Sequence, residues 1–466
     1  MAVMDIRKGK ERMKNTRHRE KEANLGQDPI GGLLFKLAMP AILAQLINVL
    51  YNMVDRMYIG HIPKVGPSAL TGVGVTMPVI MCISAFAALV SMGGAPRASI
   101  MMGKGEHEEA ERIMGNCAAM LCVVAVILTA AFLIFGKNIL MVFGASDNTI
   151  DYAWAYMQIY TCGTIFVQLA LGLNAFINAQ GFAKIGMVTV AIGAVCNIIL
   201  DPIFIFAFGM GVRGAALATI ISQGVSCIWI LKFLTGPKTS LRLQGKYMRI
   251  RGNVILPCIA LGVSPFIMQF TESILNVCFN TSLLKYGGDT AVGAMTILGS
   301  VMQFTMLPLQ GLSQGAQPII SFNYGANNIG RVKKAFRLLL ICSLTFTTVM
   351  WALCMTVPQV FIGIFTSNPE LAEYTRWAIR IYMAATLIFG IQIACQQTFI
   401  ALGNAKVSVF LALLRKVLLL IPLIYILPNF IADKTMAVFV AEPAADIIAV
   451  STTAILFARE YRKLKE

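Results

Sequence analysis

The chain has 466 residues, is 57% apolar and only 13% charged, and carries a net charge of +16. Soluble globular domains carry roughly 25% charge, which excludes that class, and segments of about ten residues alternating in polarity, as a membrane β-barrel requires, are missing. The basic residues sit in short runs at Arg7–Lys21, Lys232–Arg251, Arg331–Arg337 and Arg459–Lys465, between long apolar segments. That is the pattern of cytoplasmic anchors in a multispan protein, so nucleic acid is not expected as a partner.

In chain order, residues 1–30 read as a cytoplasmic tail with a short amphipathic helix. Apolar spans follow near 35–60, 68–95, 113–135, 150–179, 186–208 and 212–233, so that 31–233 forms an N-lobe. A basic cytoplasmic linker covers 234–252. Six more spans, near 254–281, 289–320, 335–357, 374–402, 406–428 and 436–457, form a C-lobe over 253–458, and 459–466 is a second cytoplasmic tail. The expected fold is an all-α polytopic membrane protein of twelve transmembrane helices. An even number of spans puts both termini on one side, and the Lys/Arg excess in loops 2–3, 4–5, 6–7, 8–9 and 10–11 makes that side the cytoplasm. The basic start runs into a full-length span, so a cleaved signal peptide is not expected.

An internal repeat organises the chain. At a constant offset of 222 residues, Ser91 matches Ser313, Gly93 Gly315, Pro96 Pro318, Ser99 Ser321 and Gly103 Gly325. Ala69 likewise matches Ala291, Phe143 Phe365, Tyr160 Tyr382, Gly181 Gly403, Ala183 Ala405 and Lys184 Lys406. One offset shared by this many Gly and Pro positions indicates duplication. Each half holds six spans, so the two lobes enter the membrane in the same direction, related by a pseudo-two-fold axis along the membrane normal, and enclose a cleft that alternating access can open to either side. Gly72, Gly74, Gly93 and Gly94 are read as close-packing positions between spans.

Ionisable residues inside spans are costly in hydrocarbon, by about 2.5–3.5 kcal/mol on insertion scales, and mark candidate sites. In span 1, Asn48, Tyr51, Asn52 and Asp55 share one helical face, with Pro40 two turns earlier. In span 5, Asn197 lies one turn before Asp201, and Pro202 removes a backbone donor beside that carboxylate. Asp55 and Asp201 are the carboxylates within the N-lobe spans; brought together in a low-dielectric pocket they repel, and one proton or one Na⁺ relieves the repulsion. The C-lobe candidates are Glu272, Arg415 and Lys416. As neighbours in sequence, Arg415 and Lys416 point to different faces, so one snorkels while the other pairs with Glu272 or Asp446. Asp446 reads as structural, near a span end. At the position 222 residues after Asp201 stands Leu423, so the second lobe did not keep that acid.

Enzymatic chemistry finds no footing. The eleven Cys are scattered in apolar segments without a CxxC pair, and His18, His61 and His107 are the three His. Neither a zinc site nor a nucleophile–base pair is indicated, and no cofactor is expected. Gly72-Val73-Gly74 and Gly209-Met210-Gly211 lack the strand context and the Lys-Ser/Thr sequel of a nucleotide loop.

Taken together, Pro40, Asn48, Tyr51, Asn52 and Asp55, then Asn174 and Gly181, then Asn197-Ile198-Ile199-Leu200-Asp201-Pro202 and Gly214-Ala215-Ala216-Leu217-Ala218-Thr219 carry a resemblance. The chain resembles the multidrug and toxic-compound extrusion (MATE) family, in its DinF-like branch, over residues 30–458. The resemblance implies an antiporter that expels amphipathic, cationic drugs or toxic compounds against inward H⁺ or Na⁺. It implies an ion site at Asp55, Asn197, Asp201 and Thr219 with the Val195 carbonyl, which is also where a metal ion, Na⁺, would sit. Pro40, Asn48, Tyr51, Asn52 and Asn174 then belong to the surrounding network. Some relatives carry Glu at the position of Asn174 and Gln at that of Asn48. Other branches keep coupling carboxylates in spans 7 and 10; here span 10 offers Gln392, Gln396 and Gln397 but no acid. The expected setting is a multi-pass monomer in the plasma (inner) membrane of a bacterium, with the lipid bilayer and small-molecule substrates as partners. The rival reading is a flippase for lipids or lipid-linked oligosaccharides, which needs a strongly basic cleft.

Overall fold

The computed structural model describes residues 23–464. The amphipathic helix expected in the first tail falls mostly outside these residues. Among the described residues twelve helical spans are long and apolar enough to cross a membrane, each bent pair counting as one and the two arms of Gly252–Gly325 as two. Spans 1 to 3 are Ile30–Gly60, Gly66–Gly103 and His107–Val142. Span 4 is Ile150–Cys162 with Thr164–Ala179; span 5 is Ala183–Pro202, continued by a π-helical turn Ile203–Ala207; span 6 is Val212–Thr235. Spans 7 and 8 are the two arms of Gly252–Gly325, and span 9 is Ile329–Thr356. Span 10 is Pro369–Tyr382 with Thr386–Ala401. Span 11 runs from Ala405–Leu413 through the π-helical stretch Leu414–Leu420 into Ile421–Ile426, and span 12 is Lys434–Lys463.

Three features differ from the expected spans. Spans 7 and 8 are joined without a loop, breaking only at Gly288, whose φ of 65° and ψ of −162° suit a residue without a Cβ. Spans 4 and 10 are each bent, by 58° and 49°, where unbroken helices over 150–179 and 374–402 were expected. In span 4 the bend falls at Gly163, where Ile220 of span 6 occupies the place a Cβ would take. The bends stand 222 residues apart, as do the left-handed turns at Gly181 (φ 89°) and Gly403 (φ 76°) that end these spans. The duplication therefore extends to the backbone breaks.

Lipid tails are as apolar as the side chains they meet, so helices associate in the membrane through close packing of small residues rather than through the hydrophobic effect. The glycines carry this out across the lobes. Gly93 of span 2 lies against the backbone of Cys258 and Gly262 in span 7, and Gly315 of span 8 against Ala38 in span 1. Gly103 abuts the Phe322 carbonyl while Gly325 abuts the Ile100 carbonyl, and Ile100 and Phe322 are themselves one repeat apart. Gly94 packs inside the first lobe on Cys117 and Phe176, and Gly72 on Thr149 and Tyr152. Gly74 meets nothing within 4 Å, so its expected packing role is not observed.

The cores reveal which face is closed. In the half that carries both termini, the cores cross between lobes. Val254, Ile255 and Cys258 of span 7 pack among N-lobe residues such as Met114 and Leu173, and Leu33, Leu37 and Ala38 of span 1 pack among C-lobe residues such as Ile319 and Phe399. In the other half each lobe has a core of its own, around Ile83, Leu140 and Tyr156 in one and Leu298, Ile379 and Phe439 in the other. The last residues of the first tail reinforce the closed face. Arg331 donates to the carbonyls of Leu25 and Asp28 at 3.0 and 2.7 Å, and Asn323 donates to Leu25 at 2.8 Å. The lobes are therefore joined at the terminal face and parted at the opposite one.

Candidate functional site

The N-lobe site lies where span 1 packs on span 5. Helical periodicity turns Asp55 and Asp201 toward each other, both buried and close enough for each carboxylate to lie in the field of the other. Asn197, one turn before Asp201, donates from Nδ2 to Asp201 Oδ1 at 3.2 Å and to Thr219 Oγ1 of span 6 at 3.4 Å. Thr219 spends its own proton on the Ala215 carbonyl at 3.0 Å, so its lone pairs face the site. Pro202 brings no N–H to this turn, and the wider π-helical turn follows at once, a combination that recurs at functional sites.

Acceptors outnumber donors here. Asp55 Oδ1, Asp201 Oδ2, Asn197 Oδ1 and Asn174 Oδ1 are buried and meet no hydrogen-bond donor of the protein. Buried polar atoms without partners are rare and call for an explanation. Beside them a cavity of about 50 Å³ is lined by Asn48, Tyr51, Asn174, Thr189, Asn197 and Thr219 among others, with no Lys, Arg or His in its wall. Asn174 is held by the Gly186 carbonyl at 3.3 Å.

Not every residue of the sequence-derived set joins this site. Asn52 is exposed, donates to the Asn48 carbonyl at 2.7 Å and lies outside the cavity wall. Pro40 is buried at the crossing of spans 1 and 8, between Ala38 and Ile42, which receive Gly315 and Gly311. It belongs to the joint between lobes rather than to the cavity. Val195 turns its side chain outward, leaving its backbone as its route to the site. Tyr156, which sequence reasoning missed, is buried with its hydroxyl toward Thr219 and its ring stacked on Tyr160 at 6.0 Å. The signal was its place one turn before Tyr160, itself a repeat position.

The C-lobe charges form a second cluster. Arg415 donates from Nε to Asp446 at 2.6 Å and from a terminal nitrogen to Glu442 at 3.0 Å, its guanidinium resting 4.6 Å from the centre of the Phe389 ring. Lys416 pairs with Glu272 at 2.5 Å. The expectation that one of these cations snorkels is therefore wrong: both are buried and paired. The physical reason is the π-helical stretch Leu414–Leu420, whose wider turn lets adjacent residues reach inward together. Asp446 lies in the middle of span 12, not near its end. Glu442 was missed, although it precedes Asp446 by one helical turn and so shares its face. Glu272 is the one member of the cluster with an exposed side chain.

The two lobes thus offer different chemistry. The first holds an electron-rich pocket of carboxylate, amide and hydroxyl oxygens, suited to a proton or a monovalent hard cation. The second holds three carboxylates offset by two cations. Among the described residues no group of three or more His, Cys, Asp or Glu could hold a metal ion.

Comparison with known proteins agrees with this architecture. The MatE family model matches residues 40–203 and 265–426. The multidrug export protein MepA of Staphylococcus haemolyticus is 24% identical over 398 residues, covering 84% of this chain and 86% of that protein. The solved structure of the MATE multidrug transporter DinF-BH, in a ligand complex, is 32% identical, with a TM-score of 0.86 over 95% of this chain and 98% of that one. A multidrug resistance MATE family transporter of the MOP superfamily, solved in an outward-facing conformation, has the same fold, with a TM-score of 0.88, 20% identity and coverage of 96% and 99%.

Proposed function

Since the chain belongs to the MatE family, we propose that it is a cation-coupled antiporter exporting amphipathic, cationic organic compounds by alternating access. The observation that carries the coupling is the Asp55–Asp201 pair, with its buried oxygens lacking protein donors. Such a pocket attracts positive charge. H⁺ or Na⁺ arriving at the pair and a cationic substrate in the adjoining cavity draw on the same carboxylates, so each weakens the binding of the other, and the weakening is reciprocal. Asn197 and Thr219 orient the pair, Tyr51 and Tyr156 wall it, and Asn48 and Asn174 give the cavity its polar edge.

Alternating access uses the two arrangements of the lobes. Ion binding at the pair changes how span 1 packs on span 5, and span 1 is also the helix whose first half is embedded in the C-lobe core. A change at Asp55 is thereby transmitted to the joint at Ala38 and Ile42. The Lys/Arg excess makes the terminal face cytoplasmic, so the present arrangement is outward-open. The setting we infer is the inner membrane of a bacterium, with the chain acting as a monomer. The flippase alternative draws no support from the cleft, because Arg415 and Lys416 are both neutralised by carboxylates.

The test is transport by the purified protein in proteoliposomes, with a cationic dye as substrate and a proton or sodium gradient imposed separately. Dye movement opposite to one of the two gradients, abolished when that gradient is collapsed, is expected. Dye movement indifferent to both gradients would overturn the proposal.

A further inference from the structure

At the terminal face, the linker between the lobes folds back over the start of span 3 and encloses a cavity of about 80 Å³ lined by Arg112, Asn116, Lys246, Tyr247, Arg249 and Arg251. The floor of this cavity is built. Gly115 admits the Tyr247 backbone so closely that a Cβ there would meet it at 2.8 Å. Buried Asn116 donates to the Tyr247 carbonyl at 3.1 Å and accepts from the Arg251 amide at 2.7 Å. The Tyr247 hydroxyl donates to Glu108 at 3.0 Å.

The charges around it are unevenly spent. Arg112 is paired with Glu109 at 2.9 Å and Glu108 at 3.4 Å. Glu111 accepts from the Arg242 amide at 2.8 Å and from Gln244 at 2.6 Å. The Lys246 ammonium lies 4.5 Å from the centre of the Tyr247 ring, within the field of Glu108 and Glu111. Lys246, Arg249 and Arg251 have no salt bridge among the described residues. Exposed Met248 and Ile250 alternate with the two arginines immediately before span 7 begins at Gly252.

We propose that this cavity is a binding site for the phosphate of an anionic phospholipid headgroup, with the acyl chains lying along Met248 and Ile250. Unpaired guanidinium groups match phosphate oxygens with two parallel hydrogen bonds, and basic pockets between helices at the membrane surface select anionic headgroups. A free phosphate ion would use the cations alone. The exposed apolar pair beside them, at the membrane boundary, favours a lipid. The occupied site holds the linker to the N-lobe, where Glu111, Asn116 and Gln180 already tether it, and leaves the stretch at Gly252 as the point about which the C-lobe turns. The site is independent of what the protein transports.

The test is lipid binding to the purified full-length chain by native mass spectrometry, titrating phosphatidylglycerol, phosphatidylcholine and inorganic phosphate separately. Wild type is expected to retain phosphatidylglycerol selectively. The combined Lys246→Gln/Arg249→Gln/Arg251→Gln variant is expected to bind it about tenfold or more weakly, and Lys333→Gln/Lys334→Gln/Arg337→Gln to leave it unchanged. Should the triple variant fail to fold, Arg249→Gln alone is expected to weaken retention several-fold. Equal retention of phosphatidylcholine, equal losses from both basic clusters, or displacement of phosphatidylglycerol by equimolar inorganic phosphate overturns the proposal.

Discussion

The reciprocal glycine contact at the terminal face yields the most specific test of how the lobes move. A Cβ added at Gly103 would lie against the Phe322 carbonyl oxygen and 2.9 Å from the Ala326 amide nitrogen; one at Gly325 would lie against the Ile100 carbonyl oxygen, 2.8 Å from its carbon. Every one of these neighbours is backbone, so no side-chain end can rotate away, and relief requires the lobes to separate. Overpacking of this kind costs about 1–3 kcal/mol, and it is incurred only while the terminal face is closed. A shift of that size corresponds to roughly 5–150-fold in a conformational equilibrium. Gly103→Ala and Gly325→Ala are each expected to raise the population open at the terminal face, with less than additive effect in combination, because both act on one joint. Electron–electron distance measurements between spin labels on spans 2 and 8 near that face read the change directly. An unchanged distance distribution with a lowered melting temperature would refute the idea that this joint opens, and would leave it as packing alone.

Other outcomes follow from the same geometry. Arg415→Met leaves Glu442 and Asp446 buried without their cation and is expected to cost about 3–5 kcal/mol; adding Glu442→Gln and Asp446→Asn is expected to restore most of the melting temperature in detergent. Gln180 accepts from Thr239 Oγ1 at 2.8 Å and from the amides of Ser240 and Leu241 at 2.9 and 2.8 Å. Gln180→Leu therefore strands the two amide donors, while the Thr239 hydroxyl keeps the Leu241 carbonyl at 2.8 Å; the cost is about 1–3 kcal/mol for a buried unsatisfied group, and the change should speed proteolysis at Lys238 and Arg242 without altering the far half of the lobes. Gly288→Ala places a Cβ on a residue at φ 65° and ψ −162°, a region populated essentially by Gly, and a cost of about 1–3 kcal/mol should appear as a lower melting temperature with ion and dye affinity retained.

Much of this fold was legible because hydrophobicity and duplication act along the whole chain. The constant offset between Gly93 and Gly315, or Gly103 and Gly325, arises because both lobes meet the same steric demand at the same crossing. The pairing of Asp55 with Asp201 was legible for a related reason: an isolated acid in hydrocarbon needs a partner, and the first lobe offered one. What escaped depended on local departures from the ideal helix. The bend in span 4 sits where Ile220 packs against Gly163, a tertiary contact with no sequence period. The π-helical stretch around Arg415 and Lys416 rotates two neighbours inward, against the 3.6-residue rule on which their separation to different faces was argued. Glu442 went unread, although it stands one helical turn before Asp446 and so shares its face. The sequence marked residues 1–30 only as a cytoplasmic tail, yet Leu25 and Asp28 dock on Arg331 and Asn323 through their carbonyls, which carry no side-chain signature.

The most direct measurement of the coupling mechanism compares Asp201→Asn with wild type in proteoliposomes, recording equilibrium dye binding and gradient-driven dye transport on the same preparation. Asparagine keeps the shape of the side chain, retains an acceptor for Asn197, and removes the charge that H⁺ or Na⁺ would meet. If the Asp55–Asp201 pair couples ion to substrate, the variant folds and dye binding becomes independent of pH and sodium, while uphill transport falls to the rate of empty vesicles. Uphill transport at the wild-type rate, with the usual dependence on the gradient, would contradict the assignment of coupling to this pair.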